Sequence, residues 1–299
     1  GLGVKLRYIE EPEPLGTGGA LKFAEQLLDE RFVMLNGDVL TDIDLSKQLR
    51  RHVETGARAT LALYPVEDPS AYGLVRCNPD GSVREFVEKP GPEQVDTNLI
   101  NAGAYILEHD VLDTMAPAGA HISIERDVFP ALVGHGLFGY ASSGYWLDIG
   151  TPARYLQGTF DILEGNVRTE VGRRLSDAGL ALVEDASVDG RVVAPSIVGS
   201  GCEVAEGAIV GGRAVLGDGV RIGARAHVES SVVLGGSSVG NGALLRGSII
   251  GPRVEIGDHC HIEGGVVIGE GASIGPDNVL EAGARIFPGV ELPAGAIKF

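Results

Sequence analysis

Two aspartates stand where chemistry on phosphates would want them. Phe32-Val33-Met34-Leu35 is an apolar run too short for a helix and reads as a strand buried on both faces. Asn36-Gly37 ends it and leaves Asp38 at the carboxyl-terminal edge, where ligands bind in open α/β sheets. A carboxylate there can hold a metal over a phosphate, or it can close an Asn-Gly-Asp turn on its own backbone. Trp146-Leu147-Asp148 is a second strand ending on an aspartate, with Pro152 behind it at a helix start. Glu88-Lys89-Pro90 ends another strand on an acid and a base, for which a solvated pair is the ordinary reading. Leu15-Gly16-Thr17-Gly18-Gly19-Ala20-Leu21 opens a helix expected from about residue 20 to residue 28, with Thr17 as N-cap. Its glycines either let backbone N–H groups approach a ligand or only make a tight turn. Their spacing matches neither a Walker loop nor a dinucleotide fingerprint.

The elements that must hold these residues alternate in type. Residues 4–10 alternate apolar and polar and read as a strand, followed by the stiff connector Glu11-Pro12-Glu13-Pro14. Residues 45–54 form an amphipathic helix capped by Asp44 or Ser46 and ended near Gly56, and residues 59–66 form an apolar strand. Asn78-Pro79-Asp80-Gly81 turns a hairpin between residues 74–77 and 83–87. Asn101 to Leu107 is a further strand, and Ser123 with Glu125 or Arg126 caps a short helix. This order predicts a mixed, mostly parallel sheet covered on both faces.

The second half is a repeat. From Val198 an aliphatic residue returns every six positions through Val204, Val210, Leu216, Ile222, Val228 and Leu234. The count slips by one to Val239 and Leu245, slips again to Ile250, and then runs to Leu292. Glycine often follows, and helices do not keep a six-residue period with so much glycine. A parallel β-helix does, each hexad being one flat side whose aliphatic residue points inward. The two slips predict a disturbed coil near residues 236–251. The chain thus divides into residues 1–170 and 171–299.

The net charge of -17 argues against a nucleic-acid surface, which needs clustered Lys and Arg. It leaves room for a nucleotide, because one magnesium ion and one or two cations can dominate a small site. No apolar run approaches a membrane span. Cys77, Cys202 and Cys260 fit no disulfide or metal pattern, which suits a reducing cytoplasm.

In order, the 15–21 loop, Asn36-Gly37-Asp38, Tyr72-Gly73, Glu88-Lys89-Pro90, Asn101-Ala102-Gly103 and Trp146-Leu147-Asp148-Ile149-Gly150-Thr151-Pro152 resemble the sugar-1-phosphate nucleotidyltransferases. The closest likeness is to the mannose-1-phosphate guanylyltransferase branch with a C-terminal left-handed β-helix. The resemblance implies an α/β fold with a Rossmann-like mixed sheet, N-terminally incomplete here, followed by a left-handed parallel β-helix of hexapeptide repeats. It implies that an NTP and a sugar 1-phosphate, GTP and mannose 1-phosphate, give an NDP-sugar and pyrophosphate. Asp38 and Asp148 would hold catalytic Mg²⁺, and Lys89 the sugar phosphate. Glu88 would accept from sugar hydroxyls, Gly73, Asn101 and Gly103 would line the sugar pocket, and Leu15, Gly16 and Thr17 would lie against base and ribose. The family's glycine-rich Thr-Arg loop for the triphosphate has no counterpart in this chain, which is expected to begin after it and to carry an exposed sheet edge. Alternatives are a glucose-1-phosphate thymidylyl-, uridylyl- or adenylyltransferase, a non-catalytic sugar-nucleotide-binding relative, or acyl transfer on the β-helix with His227, His259 or His261 as base. The β-helix is expected to build a homo-oligomer.

Overall fold

The computed structural model describes residues 5–179, 181–183 and 185–298. It divides into two compact units, Gly1–Val39 with Ile43–Trp146, and Leu40–Asp42 with Leu147–Phe299.

In chain order the elements are α1 (Gly16–Phe23), β1 (Arg31–Leu35), β2 (Val39–Thr41), α2 (Leu45–Thr55), β3 (Ala59–Pro65), β4 (Gly73–Cys77), β5 (Val83–Glu88), β6 (Leu99–Glu108), α3 (Phe129–Leu132), β7 (Leu137–Ala141), β8 (Trp146–Asp148), α4 (Pro152–Leu163) and α5 (Glu170–Asp177). The main sheet of the first unit runs β5-β4-β6-β3-β7. β6 lies along β3 on one edge, while its other edge is shared between β1 and β4. The sheet is mixed, but only the β3–β7 pair is parallel. The expectation of a mostly parallel sheet fails because the short turn at Asn78–Gly81 can join β4 and β5 only as antiparallel neighbours, and β6 then returns against β4, β3 and β1. Tyr105 and Phe129 are wholly buried, their rings 5.1 Å apart, and Phe86 adds a third ring 5.6 Å from Phe129.

Three local expectations are corrected. β1 is not buried on both faces: Val33 and Leu35 are 47% and 55% exposed, because no described element covers that face. Its second edge pairs with no strand among the described residues. Of the strand expected over residues 4–10, Val4 lies outside the described residues, and residues 5–10 form no strand, since their alternation meets no partner, with Leu6 and Tyr8 in solvent. The first helix begins at Gly16 rather than near residue 20, and Thr17 does not cap it. Gly18 and Gly19 instead direct their N–H groups at the Ile122 carbonyl, at 2.9 and 3.1 Å. A Cβ on Gly19 would stand 2.6 Å from the Ala120 carbonyl oxygen. These glycines are there for close packing on the 120–124 segment, which overrides their poor helix propensity.

α2 starts and stops as expected, with Asp44 accepting from the Lys47 N–H and Gly56 left-handed at the C-terminus. The residues it buries are polar, however: Gln48 and His52 face inward, while Leu49 and Val53 are exposed.

The second unit takes in α4, α5 and a parallel β-solenoid of about six turns. Its strands stack in three parallel sheets, two of seven strands and one of six. Val210 stacks on Val228, 18 residues on, so three hexads make one turn. Glycine follows the inward residue because the next turn lies directly beneath it: a Cβ on Gly240 would be 2.4 Å from the Gly257 carbonyl carbon, and one on Gly269 2.5 Å from the Pro288 nitrogen.

The slips in the repeat are resolved at one corner. Leu216 pairs with Val233, so Val233 and not Leu234 points inward, and the missing residue falls before it. An ordinary corner there uses two left-handed residues, Gly212-Arg213 or Gly264-Gly265, whereas the shortened corners use Ser230 or Gly247 alone. The two shortened corners stack on each other. The Ser231 hydroxyl donates to the Glu229 carbonyl (2.8 Å) and accepts from the Ser248 N–H (3.1 Å). The expected disturbance is absent because both contractions share one corner and the ladder continues through them.

Candidate active site

The site is built where the ladder between β3 and β6 breaks. Leu61 faces Tyr105 and Leu63 faces Asn101, so β6 carries two extra residues between those pairs. Gly103 takes φ +73° there, a conformation only glycine reaches without strain, and a Cβ would stand 3.0 Å from Asn36 Nδ2. At the bulge the carbonyls find donors other than β3: two are side chains, and the Asn36 N–H carries the β1–β6 ladder one rung further. Trp146 Nε1 donates to Ala102 O (2.8 Å), the Asn36 N–H to Gly103 O (2.8 Å), and Gln48 Nε2 to Ala104 O (3.1 Å). Gln48 Nε2 also donates to Thr60 O on β3 (3.0 Å). This explains the polar face of α2, since a buried carbonyl without a partner costs about 1–3 kcal/mol.

Asn101 and Gly103 are the candidate residues on β6 itself. Asn101 Oδ1 accepts from the Gly103 N–H (3.2 Å), and its Nδ2 donates to the Tyr105 hydroxyl (2.9 Å), which the Asn36 side chain also bonds. Burial pushes the Tyr105 phenol well up, so it stays neutral. Gly73 pairs with Glu88, and a Cβ on it would meet Glu88 Oε2 at 2.9 Å. The bare glycine is what leaves room for that carboxylate. Glu88 is half-buried, and burial raises its pKa, the Glu125 charge raises it further, and Lys89 and Arg126 offset part of this. Lys89 follows in the left-handed region (φ 50°), its N–H held by the Tyr72 carbonyl (3.2 Å). Its ammonium makes no close ion pair among the described residues, and it acts on Glu88 only through its charge.

Leu15 is buried, and Gly16 at φ +75° lies against the Ile122 carbonyl. Thr17 is exposed; its hydroxyl accepts from the Ile124 N–H (3.0 Å) and donates to Glu125 Oε2 (2.7 Å). Asp38 lies in the turn between β1 and β2, exposed, and its carboxylate makes no hydrogen bond or ion pair among the described residues. The self-bonded turn is therefore not what it forms. Asp148 ends β8; its Oδ1 accepts from the Gly150 N–H (2.8 Å), and Arg154 Nη1 stands 3.4 Å from its Oδ2. Asp38 belongs to the first unit and Asp148 to the second. Among the described residues no group of three or more His, Cys, Asp or Glu is arranged to hold a metal. Two carboxylates with phosphate and water to complete the shell suit a hard cation, and the unengaged Asp38 fits that role.

Sequence reasoning missed Glu125 and Tyr105. Ser123 does cap the 124–128 turn, its hydroxyl accepting from the Arg126 N–H (3.2 Å). The Glu125 contact to Thr17 spans 108 positions and leaves no local trace. Tyr105 is hidden inside an apolar strand. In the solenoid, His259 and His261 are exposed on either side of the buried Cys260.

Residues 1–165 match the family model described as nucleotidyl transferase, and residues 192–296 match the GMPPB C-terminal domain. The chain is 37% identical over 215 residues to the mannose-1-phosphate guanylyltransferase of Mycobacterium tuberculosis, covering 69% of this chain and 58% of that protein. It is 35% identical over 207 residues to the mannose-1-phosphate guanylyltransferase catalytic subunit beta of Drosophila pseudoobscura pseudoobscura, covering 68% and 53%. The chain thus spans just over half the length of these curated relatives. Among solved structures, HddC from Yersinia pseudotuberculosis aligns with a TM-score of 0.46 at 28% identity, over 52% of this chain and 67% of that one. With more than half of its length matched by one family model, the chain belongs to the nucleotidyl transferase family.

Proposed function

We propose that the protein joins GTP and mannose 1-phosphate to give GDP-mannose and pyrophosphate. The observation that carries this reading is the set of groups around the bulge. Glu88 stands over a glycine that leaves it space, Asn101 and Tyr105 are fixed beside it, and Lys89 offers an unpaired ammonium one residue on. That is an acceptor set for sugar hydroxyls next to a point charge for a phosphate. The names of the relatives supply the base and the sugar.

In this reading Lys89 holds the sugar phosphate, and Glu88, Gly73, Asn101 and Gly103 receive the ring. Leu15, Gly16 and Thr17 lie along the base and ribose. An oxygen of the sugar phosphate attacks the α-phosphorus of GTP, and the bond to pyrophosphate breaks. The nucleophile is already an anion, so alignment and charge neutralisation suffice without a general base. Nucleotidyl transferases of this family generally use a divalent metal. We assign Mg²⁺ to Asp38 and Asp148, where it would neutralise charge on the phosphate oxygens.

Among the described residues no helix is long and apolar enough to cross a membrane. The three cysteines are unbridged, and we place the protein in the cytoplasm. We assign the solenoid to homo-oligomer assembly. The activity is tested by supplying GTP, mannose 1-phosphate and Mg²⁺ and measuring pyrophosphate. Release with this pair above other NTP and sugar-phosphate pairs is expected. A faster glucose 1-phosphate reaction would reassign the substrate, and silence with every pair would leave a sugar-nucleotide-binding relative.

A further inference from the structure

Glu125 is held as if its direction mattered. It sits second in the turn Ile124–Val128 and is half-buried. Its Oε2 accepts from two hydroxyls, Thr17 at 2.7 Å and Ser123 at 2.9 Å. Thr17 is itself fixed by the Ile124 N–H at 3.0 Å. With one oxygen doubly bonded the carboxylate cannot rotate, and Oε1 is left without a hydrogen bond among the described residues.

The surroundings say what Oε1 could accept. Phe129, four residues after Glu125, packs its ring on Phe86 at 5.6 Å and on Tyr105 at 5.1 Å, and Phe86 lies two residues before Glu88 on the same strand face. This brings the turn that carries Glu125 to the side of the sheet that carries Glu88, and the Glu125 charge accordingly raises the pKa of both Glu88 and Tyr105. A pair of like charges there is unfavourable unless a ligand brings donors. It repels a phosphate, which is drawn instead to Lys89. A ring bearing several hydroxyls is the complementary partner, its O–H groups toward the acids and its phosphate toward the lysine.

We infer that Glu125 is the second carboxylate of the sugar subsite, held by Thr17 so that its free oxygen reads one hydroxyl of the sugar 1-phosphate while Glu88 reads another. The inference rests on the proposed sugar-phosphate reading and adds the residue that sets hydroxyl specificity. It also ties the 15–17 loop, on the nucleotide side, to the sugar side through one hydrogen bond. A purely structural Glu125 would only fasten α1 to the 123–128 segment, and the two roles separate experimentally.

The test is calorimetric binding of mannose 1-phosphate and its 2-, 3-, 4- and 6-deoxy analogues to the full chain, as the parent, Glu125→Gln, Glu88→Gln, Thr17→Val and Thr17→Ser, with thermal unfolding of each. Glu125→Gln should weaken mannose 1-phosphate about 10-fold or more, the size of a charge-assisted hydrogen bond. One deoxy analogue that binds the parent poorly should bind Glu125→Gln as well as mannose 1-phosphate does. Glu88→Gln should erase the dependence on a different hydroxyl. Thr17→Val should reproduce the Glu125→Gln pattern more weakly, and Thr17→Ser should restore it. Unchanged affinity in Glu125→Gln, or an equal loss for every analogue with a lowered Tm, overturns the inference while leaving the sugar-phosphate reading in place. A parent that binds none of these ligands overturns the reading itself.

Discussion

The two halves of this molecule satisfy their backbones in opposite ways. In the solenoid every turn hands its N–H and C=O groups to the turn beside it, and even the shortened corners are closed by the local serines Ser231 and Ser248. In the α/β unit the ladder between β3 and β6 breaks at residues 102–104, and the side chains of Trp146 and Gln48 must come in to mend it. The broken place gathers Asn101, Tyr105, Asn36 and, nearby, Glu88 and Lys89. The site we propose lies where local repetition gives way to long-range contacts.

This contrast can be broken at several points. The largest stability loss is expected in the coil from Gly240→Ala, whose Cβ would fall 2.4–2.7 Å from backbone and side-chain atoms of Gly257 and Asp258. Two turns must separate, at a cost of about 3 kcal/mol, measured by denaturant unfolding, with sugar-phosphate affinity untouched. Next comes Gln48→Leu, which strands the buried Ala104 and Thr60 carbonyls and should cost about 2 kcal/mol. Unlike the coil variant, it should also weaken sugar-phosphate binding. Equal affinity would mean that the bulge does not set the site.

His52 offers a smaller, pH-dependent effect. Its Nε2–H donates to Glu108 Oε1 and its Nδ1 accepts from Thr60 Oγ1, both at 2.8 Å, the carboxylate fixing the tautomer. Burial lowers its pKa below the ordinary 6.5 despite Glu108. Its contribution is therefore complete above pH 6.5, where both folded and unfolded histidine are neutral. It is lost as the pH falls through the lower folded value, because the unfolded state takes the proton first. Tm should drop between pH 7 and 5, and His52→Gln should flatten that limb. The smallest effect is expected from Gly219→Ala, at φ +67° with open space around its Cβ, costing about 1 kcal/mol of backbone strain alone.

Legibility followed the same divide. The repeat was readable because each hexad carries its own code, and only the place of the contraction was misjudged: Val233 and Leu234 are both aliphatic, and the corner geometry alone decides between them. The hairpin turn, the α2 cap, left between Asp44 and Ser46 and found at Asp44, and the helix start at Pro152 were readable because each is set by neighbouring residues. The start of α1 was not, since its glycines answer to residues 120–124, a hundred positions away. Nor was the exposure of Val33 and Leu35, which depends on what lies across a face rather than on the strand's own residues. The motif residues of the site were recognisable by type and order, but the Gln48 and Trp146 bonds to the bulge and the Thr17–Glu125 tie exist only in three dimensions.

The central proposal is that Asp38 and Asp148 both serve as ligands of one divalent cation. Paramagnetic resonance of Mn²⁺ bound to the chain with GDP-mannose tests it most directly, using the parent, Asp38→Asn, Asp148→Asn and the double variant. The account predicts one bound Mn²⁺ per chain, an affinity loss of about 10-fold or more in each single variant, and little further loss in the double, because both carboxylates serve one ion. Mn²⁺ bound as tightly by either single variant as by the parent would contradict it.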